Sequence, residues 1–100
     1  MSPRKRHLIL SEQAKADIID ILQYTYEQWG ETQVNAYSAT IDQALSHIHE
    51  HPHLGKKAPE ISEHHRAMNA GQHIIFYTVT DSAINIARML HNKMDIKARF

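Results

Sequence analysis

The sequence contains no cysteine. Disulfide bonds, thiolate nucleophiles and cysteine-type zinc sites are therefore excluded. Glycine and proline are scarce, three of each in 100 residues. They serve as punctuation, and neither a glycine-rich phosphate loop nor a flexible linker can be built from them. No stretch approaches the ~20 apolar residues of a membrane-spanning helix. After the basic start only Leu8-Ile9-Leu10 follow, too few for the apolar region of a signal peptide. Nor is there an excess of charge of one sign. Eleven Lys and Arg balance eleven Asp and Glu, unlike a non-specific nucleic-acid coat. Together these absences predict a cytoplasmic single domain, residues 1–100, with no membrane association.

What is present is patterned. His7–Leu10 reads as a short strand, and Ser11 is a good helix N-cap with Glu12 adding charge to the first turn. Ala14, Ile18, Ile21, Leu22, Thr25 and Trp29 recur at helical spacing and mark one buried face, with Asp17 and Asp20 on a solvated face. Gly30 sits where a helix ends. A second helix is expected from near Thr32, with Tyr37, Ile41, Ala44, Leu45 and Ile48 as its stripe and Pro52 as its stop. The short joint predicts a helical hairpin. His53 to His64 reads as a loop. Strands are expected at Arg66–Asn69, His73–Val79 and Ala83–Leu90, with a turn at Thr80–Ser82 and a short helix within Met94–Phe100. The fold class is α+β, order βααβββ: a helical hairpin packed on one face of a four-stranded, mostly antiparallel sheet, its other face partly open.

Few residues carry obvious chemistry. Histidines at 47, 49, 51 and 53 resemble a metal-binding tract, and His47 and His51 share a helix face. The tract lacks the Glu of H-E-x-x-H, and a solvated helix end explains it more simply; no metal ligand is assigned. There is no G-x-S-x-G elbow. In the last strand simple alternation puts Ile84, Ile86, Arg88 and Leu90 on one face and Asn85, Ala87, Met89 and His91 on the other. Arg88 then either pairs with a helix carboxylate or meets an anionic partner on an open face. Arg66 and His73 raise the same question, and Tyr77 is expected to pack. The basic ends, Arg4-Lys5-Arg6 and Lys93, Lys97 and Arg99, are solubilising charge or, if close in space, a local patch.

Several runs resemble the ParE toxins of the RelE/ParE superfamily. The opening Leu10-Ser-Glu-Gln-Ala-Lys-Ala-Asp17-Ile-Ile-Asp-Ile21 with Tyr24-Thr25 and Trp29-Gly30 is one. Gln33, Tyr37, His51-Pro52, Gly55 and Arg66 leading into Gly71-Gln-His73-Ile-Ile-Phe-Tyr77 is another. The closing run Ile84-Asn-Ile86-Ala-Arg88-Met-Leu90-His91-Asn-Lys-Met94-Asp95 completes the set, which covers nearly the whole chain.

The resemblance implies a toxin of a type II toxin–antitoxin system. It further implies inhibition of DNA gyrase and neutralisation by a ParD-like ribbon-helix-helix antitoxin, with specific nucleic-acid binding only through the antitoxin complex. No cofactor and no catalytic residue are implied. Arg66, Arg88, His91 and Met94 are the target-binding candidates; Trp29 and Tyr37 are the antitoxin-binding candidates. The alternative is a RelE-like ribosome-dependent mRNA endoribonuclease. Arg66, Arg88 and Lys56-Lys57 would then serve as cations, with His91 as the only acid or base in view.

Overall fold

A computed structural model describes residues 5–100. Its elements are β1 (His7–Leu10), α1 (Glu12–Trp29), α2 (Glu31–Glu50), β2 (Lys56–Lys57), β3 (Arg66–Ala70), β4 (His73–Val79) and β5 (Ala83–His91), followed by a 3-10 turn at Lys97–Arg99. The Ser11 side chain accepts from the Ala14 N–H, as an N-cap should. Gly30 alone joins the two helices. Its φ of +87° is the left-handed region that a side chain would resist, so one residue ends α1 and starts α2.

The sheet has five strands in the order β1-β5-β4-β3-β2, with β1 parallel to β5 and the rest antiparallel. The extra strand is β2, two residues long, and nothing so short leaves a periodic signal in sequence. One face packs on the hairpin: Ile75, Tyr77, Ile84, Ile86 and Met89 are buried with Ala14, Ile41 and Ile48. The other face is not simply open. Ala58, Phe76 and Leu90 form a second small cluster, with Ile61 and Ile96 against it, and the Phe100 ring stands edge-on to Phe76.

The simple alternation expected for the last strand fails at Ala87. Phe76 pairs with Arg88 but Tyr77 pairs with Ile86, so Ala87 is an extra, unpaired residue, a β-bulge. Beyond it the faces exchange. Met89, not Arg88, continues the core face of Ile84 and Ile86, while Leu90 joins the outer cluster. The bulge falls just past the end of β1, whose Leu10 pairs with Ile86. There the first turns of α1 replace the missing strand. Ser11 Oγ donates to the Ala87 carbonyl at 2.8 Å, and Asp17 Oδ2 accepts from the Met89 N–H at 3.0 Å. Asp17 is therefore no solvated carboxylate; it also holds Arg88, with the two side chains 14% and 17% exposed.

Trp29 departs from its expected stripe as well. It is 72% exposed, at the last residue of α1. The basic ends do not converge: Arg6 donates to the Thr80 carbonyl, before β5 begins, whereas Lys93 follows its end. Arg4 lies outside the described residues.

Tyr77 packs, as expected, and its buried hydroxyl is fully used. It donates to the Pro52 carbonyl at 2.8 Å and accepts from the Gly55 N–H at 3.1 Å. A Cβ on Gly55 would lie 2.1 Å from that oxygen. Gly55→Ala is thus expected to break both bonds and cost about 2–3 kcal/mol. Thermal unfolding of Gly55→Ala, Tyr77→Phe and the double variant checks this. The double should cost clearly less than the two singles added, because both remove the same contacts.

Candidate functional site

A groove of about 490 Å³ opens where the hairpin meets the end of the sheet. The last turns of α1 supply Ile21, Tyr24, Thr25 and Trp29, and the first turns of α2 supply Gln33 and Tyr37. The start of β4 brings His73, the end of β5 brings His91, and the segment beyond adds Met94. Spacing of three and four along both helices puts each contributed side chain on one side. The large rim side chains are uncovered: Trp29, Tyr24 and Met94 are all exposed. A concave wall with bare aromatics around it suits a partner's apolar side chains better than a small polar substrate.

Tyr37 organises the floor. Its hydroxyl lies 3.0 Å from the Ala70 carbonyl, 3.0 Å from the Gln72 N–H and 2.5 Å from His73 Nδ1. One arrangement satisfies all three contacts. The hydroxyl donates to Ala70 and accepts from Gln72 and from a protonated Nδ1 of a neutral His73. Burial pushes the Tyr37 hydroxyl above its usual pKa, so it remains a donor at neutral pH. Burial, and secondarily the charge of His91, pushes His73 below the usual imidazole range. The His73 and His91 rings meet edge to face, 5.2 Å between centroids. The turn itself demands glycine: Gly71 has φ +59°, and a Cβ there would meet the Tyr37 ring at 2.6 Å.

The sign of the resulting pH dependence follows. The folded state resists protonating His73, so the unfolded state takes up the proton first. Stability is complete above the ordinary histidine pKa of about 6.5 and declines as pH falls below it. The urea midpoint is expected to be lower at pH 5.5 than at pH 7.5, and the drop to be smaller in His73→Gln. His65, also lowered by burial and then by His64, accounts for part of the remainder.

The six candidates fall unevenly. Trp29, Tyr37, His91 and Met94 line this one groove, although two were assigned to the antitoxin and two to the target. Arg88 lies next door. Its Nε and Nη2 donate to the two Asp17 oxygens at 2.8 and 2.9 Å, and its Nη1 donates to the Arg99 carbonyl. The side-chain bond to Asp17 holds its pKa above the ordinary arginine value. Arg66 is elsewhere, at the other end of β4, where Nη1 donates to the His53 and Gly55 carbonyls. Among the described residues no group of three or more metal-ligating side chains forms. The His47 and His51 rings do meet, tilted by 55° with centroids 5.4 Å apart.

Sequence reasoning left out Tyr24, Gln33, Gln72 and Asp20 as groove residues. Tyr24 and Gln33 lie three or four residues from Ile21 and Tyr37, the one signal available. Gln72 and Asp20 gave none.

The ParE toxin of the type II toxin-antitoxin system parDE has a family profile that matches residues 8–96. The chain is 34% identical over 89 residues to Toxin ParE1 of Mycobacterium tuberculosis, covering 88% of this chain and 91% of that protein. It is likewise 34% identical to Toxin ParE1 of Caulobacter vibrioides, covering 89% and 92%. A chain of the chromosomal ParDE system from P. aeruginosa superposes with a TM-score of 0.75 at 16% identity, over 87% of this chain and 96% of that one.

Proposed function

This chain belongs to the ParE toxin family of type II toxin–antitoxin systems, and from that membership we propose that it inhibits DNA gyrase by docking onto it. A cognate ParD-like ribbon-helix-helix antitoxin neutralises it by occupying the same surface. The observation that carries the reading is the convergence of Trp29, Tyr37, His91 and Met94 on one groove. Large aromatic and methionine side chains around a concavity are the composition of a protein-binding hot spot. An amphipathic antitoxin helix laid along it would cover the same apolar wall that a target needs. Neutralisation is then competition for one site, and no second state of the toxin is required.

The distribution of cations favours docking over RNA cleavage. A metal-independent nuclease needs free positive charge at the scissile phosphate. Arg88 is held by Asp17 and the Arg99 carbonyl, and Arg66 with Lys57 stands at the far end of the sheet from His91, the acid or base such a nuclease would use. The histidine pair beside the Tyr37 hydroxyl fits acid–base chemistry and shares a concavity with Arg88, but the charge of that arginine is already taken by Asp17.

Purified protein is expected to block gyrase supercoiling at stoichiometric amounts and to accumulate cleaved DNA, with added antitoxin restoring supercoiling. Supercoiling untouched at excess toxin sinks the gyrase assignment. Cleavage of mRNA in a translation mixture, abolished by Arg88→Ala with His91→Ala, would replace docking by the nuclease reading.

A further inference from the structure

A second concavity, about 250 Å³, lies at the opposite end of β4 from the groove and is lined by His53, Lys57, Glu63, His64, His65 and Arg66. We propose that it is a binding site for a phosphate group. Lys57 and Arg66 are cross-strand partners of β2 and β3, so their side chains stand on the same face of the sheet. The guanidinium of Arg66 is aimed by the α2–β2 loop. Its Nη1 hydrogens go to the His53 and Gly55 carbonyls at 3.1 and 2.9 Å. The planar fork leaves the Nε and Nη2 hydrogens, which no group among the described residues accepts, for an oxyanion. The lysine adds a mobile point charge beside that fixed fork.

The histidines complete the donor set. Ser62 Oγ accepts from the His64 N–H at 3.0 Å and lies 2.7 Å from His65 Nδ1. With the Ser62 hydrogen directed to Nδ1, the neutral His65 ring carries its proton on Nε2. The one acid present, Glu63, lies against His64 at 3.3 Å, and both side chains are largely solvated. The lining is mostly polar and the volume falls below the range of drug-sized ligand pockets, as suits a small anion. The chain as a whole carries no net charge, so this cluster is a local positive site on a neutral protein. The same chemistry recognises free phosphate and a phosphodiester of a nucleic-acid backbone. The site shares no residue with the groove, and its test does not depend on gyrase.

The test is NMR titration of the full chain at neutral pH with inorganic phosphate and, separately, with a short DNA duplex. Phosphate is expected to move the His64 and His65 ring signals and the Arg66 Nε–H signal. Lys57→Ala and Arg66→Lys should each weaken binding about tenfold, the loss of one charge-assisted hydrogen bond. Lys93→Ala, at the far end of the sheet, should change nothing. Duplex moving the same signals, with phosphate displacing it, identifies the backbone as the source; phosphate acting alone identifies the free anion. The proposal is overturned if neither probe moves these signals, or if Lys93→Ala weakens binding as much as Lys57→Ala.

Discussion

Asp17→Ala is expected to lower the melting temperature by about 15 °C, the equivalent of about 3 kcal/mol for a domain of this size. The carboxylate makes three bonds in a mostly buried place. Two come from Arg88 and one from the Met89 N–H, at 2.8, 2.9 and 3.0 Å. Alanine leaves the Arg88 charge without its partner and the backbone amide at the bulge without an acceptor. Each loss is costly where water cannot substitute. Asp17→Asn keeps an acceptor for the amide while giving up the charge, so it should fall between wild type and alanine. The surface pair of Lys15 with Glu12, at 3.3 Å, is more than half exposed on both sides and should cost almost nothing to remove.

The same variant has a second readout. Arg88 Nη1 donates to the Arg99 carbonyl at 2.6 Å, and the next residue, Phe100, meets Phe76 and His65 edge-on. Asp17 thus orients the arginine that ties down the C-terminal segment. In Asp17→Ala the Phe100–Phe76 nuclear Overhauser contacts should weaken, and cleavage by protease within residues 92–100 should speed up. A variant that melts early yet keeps these contacts would confine the role of Asp17 to the bulge.

The bulge also marks where sequence reasoning stopped. Both helices, the Ser11 cap, the Gly30 joint and the strands β1, β3, β4 and β5 were legible, because each rests on spacing or on one residue with a strong local preference. Ala87 carries no such preference; its extra place in the strand is set by where β1 ends and α1 begins. One inserted residue then exchanges the faces of Arg88 and Met89. Asp17 looked solvated because it lies off the apolar stripe of α1, yet that side of the helix turns toward the unpaired edge of β5. The candidate residues were found singly from the resemblance. Their convergence was invisible, since strands β2 to β5 lie between Trp29 and Met94 in the chain and the two share a groove only once β5 returns beneath the hairpin. His73 drew notice for its place on a strand, but its bond to Tyr37 depends on the left-handed turn at Gly71.

Trp29→Ala is expected to weaken antitoxin binding about 100-fold, roughly 3 kcal/mol, with little change in stability. The indole is exposed in the free protein and packs on no core residue, so its removal leaves no cavity. Alanine is also the better helix former. A side chain that does so little for its own fold, at the rim of the groove, has its energetic role only when a partner buries it. Ile19→Ala is the matched control: it is an equally bare apolar residue of α1 that does not line the groove. Its antitoxin affinity should stay within about twofold of wild type, the scale of ordinary surface substitutions. Isothermal titration of the two variants with the cognate antitoxin decides the matter. Equal losses would show a diffuse apolar contact along α1, and no loss in Trp29→Ala would move the antitoxin off this groove. Met94→Ala, on the opposite wall, should weaken the antitoxin and gyrase together if the two compete for one surface. Loss of only one of them would mean that the groove serves a single partner.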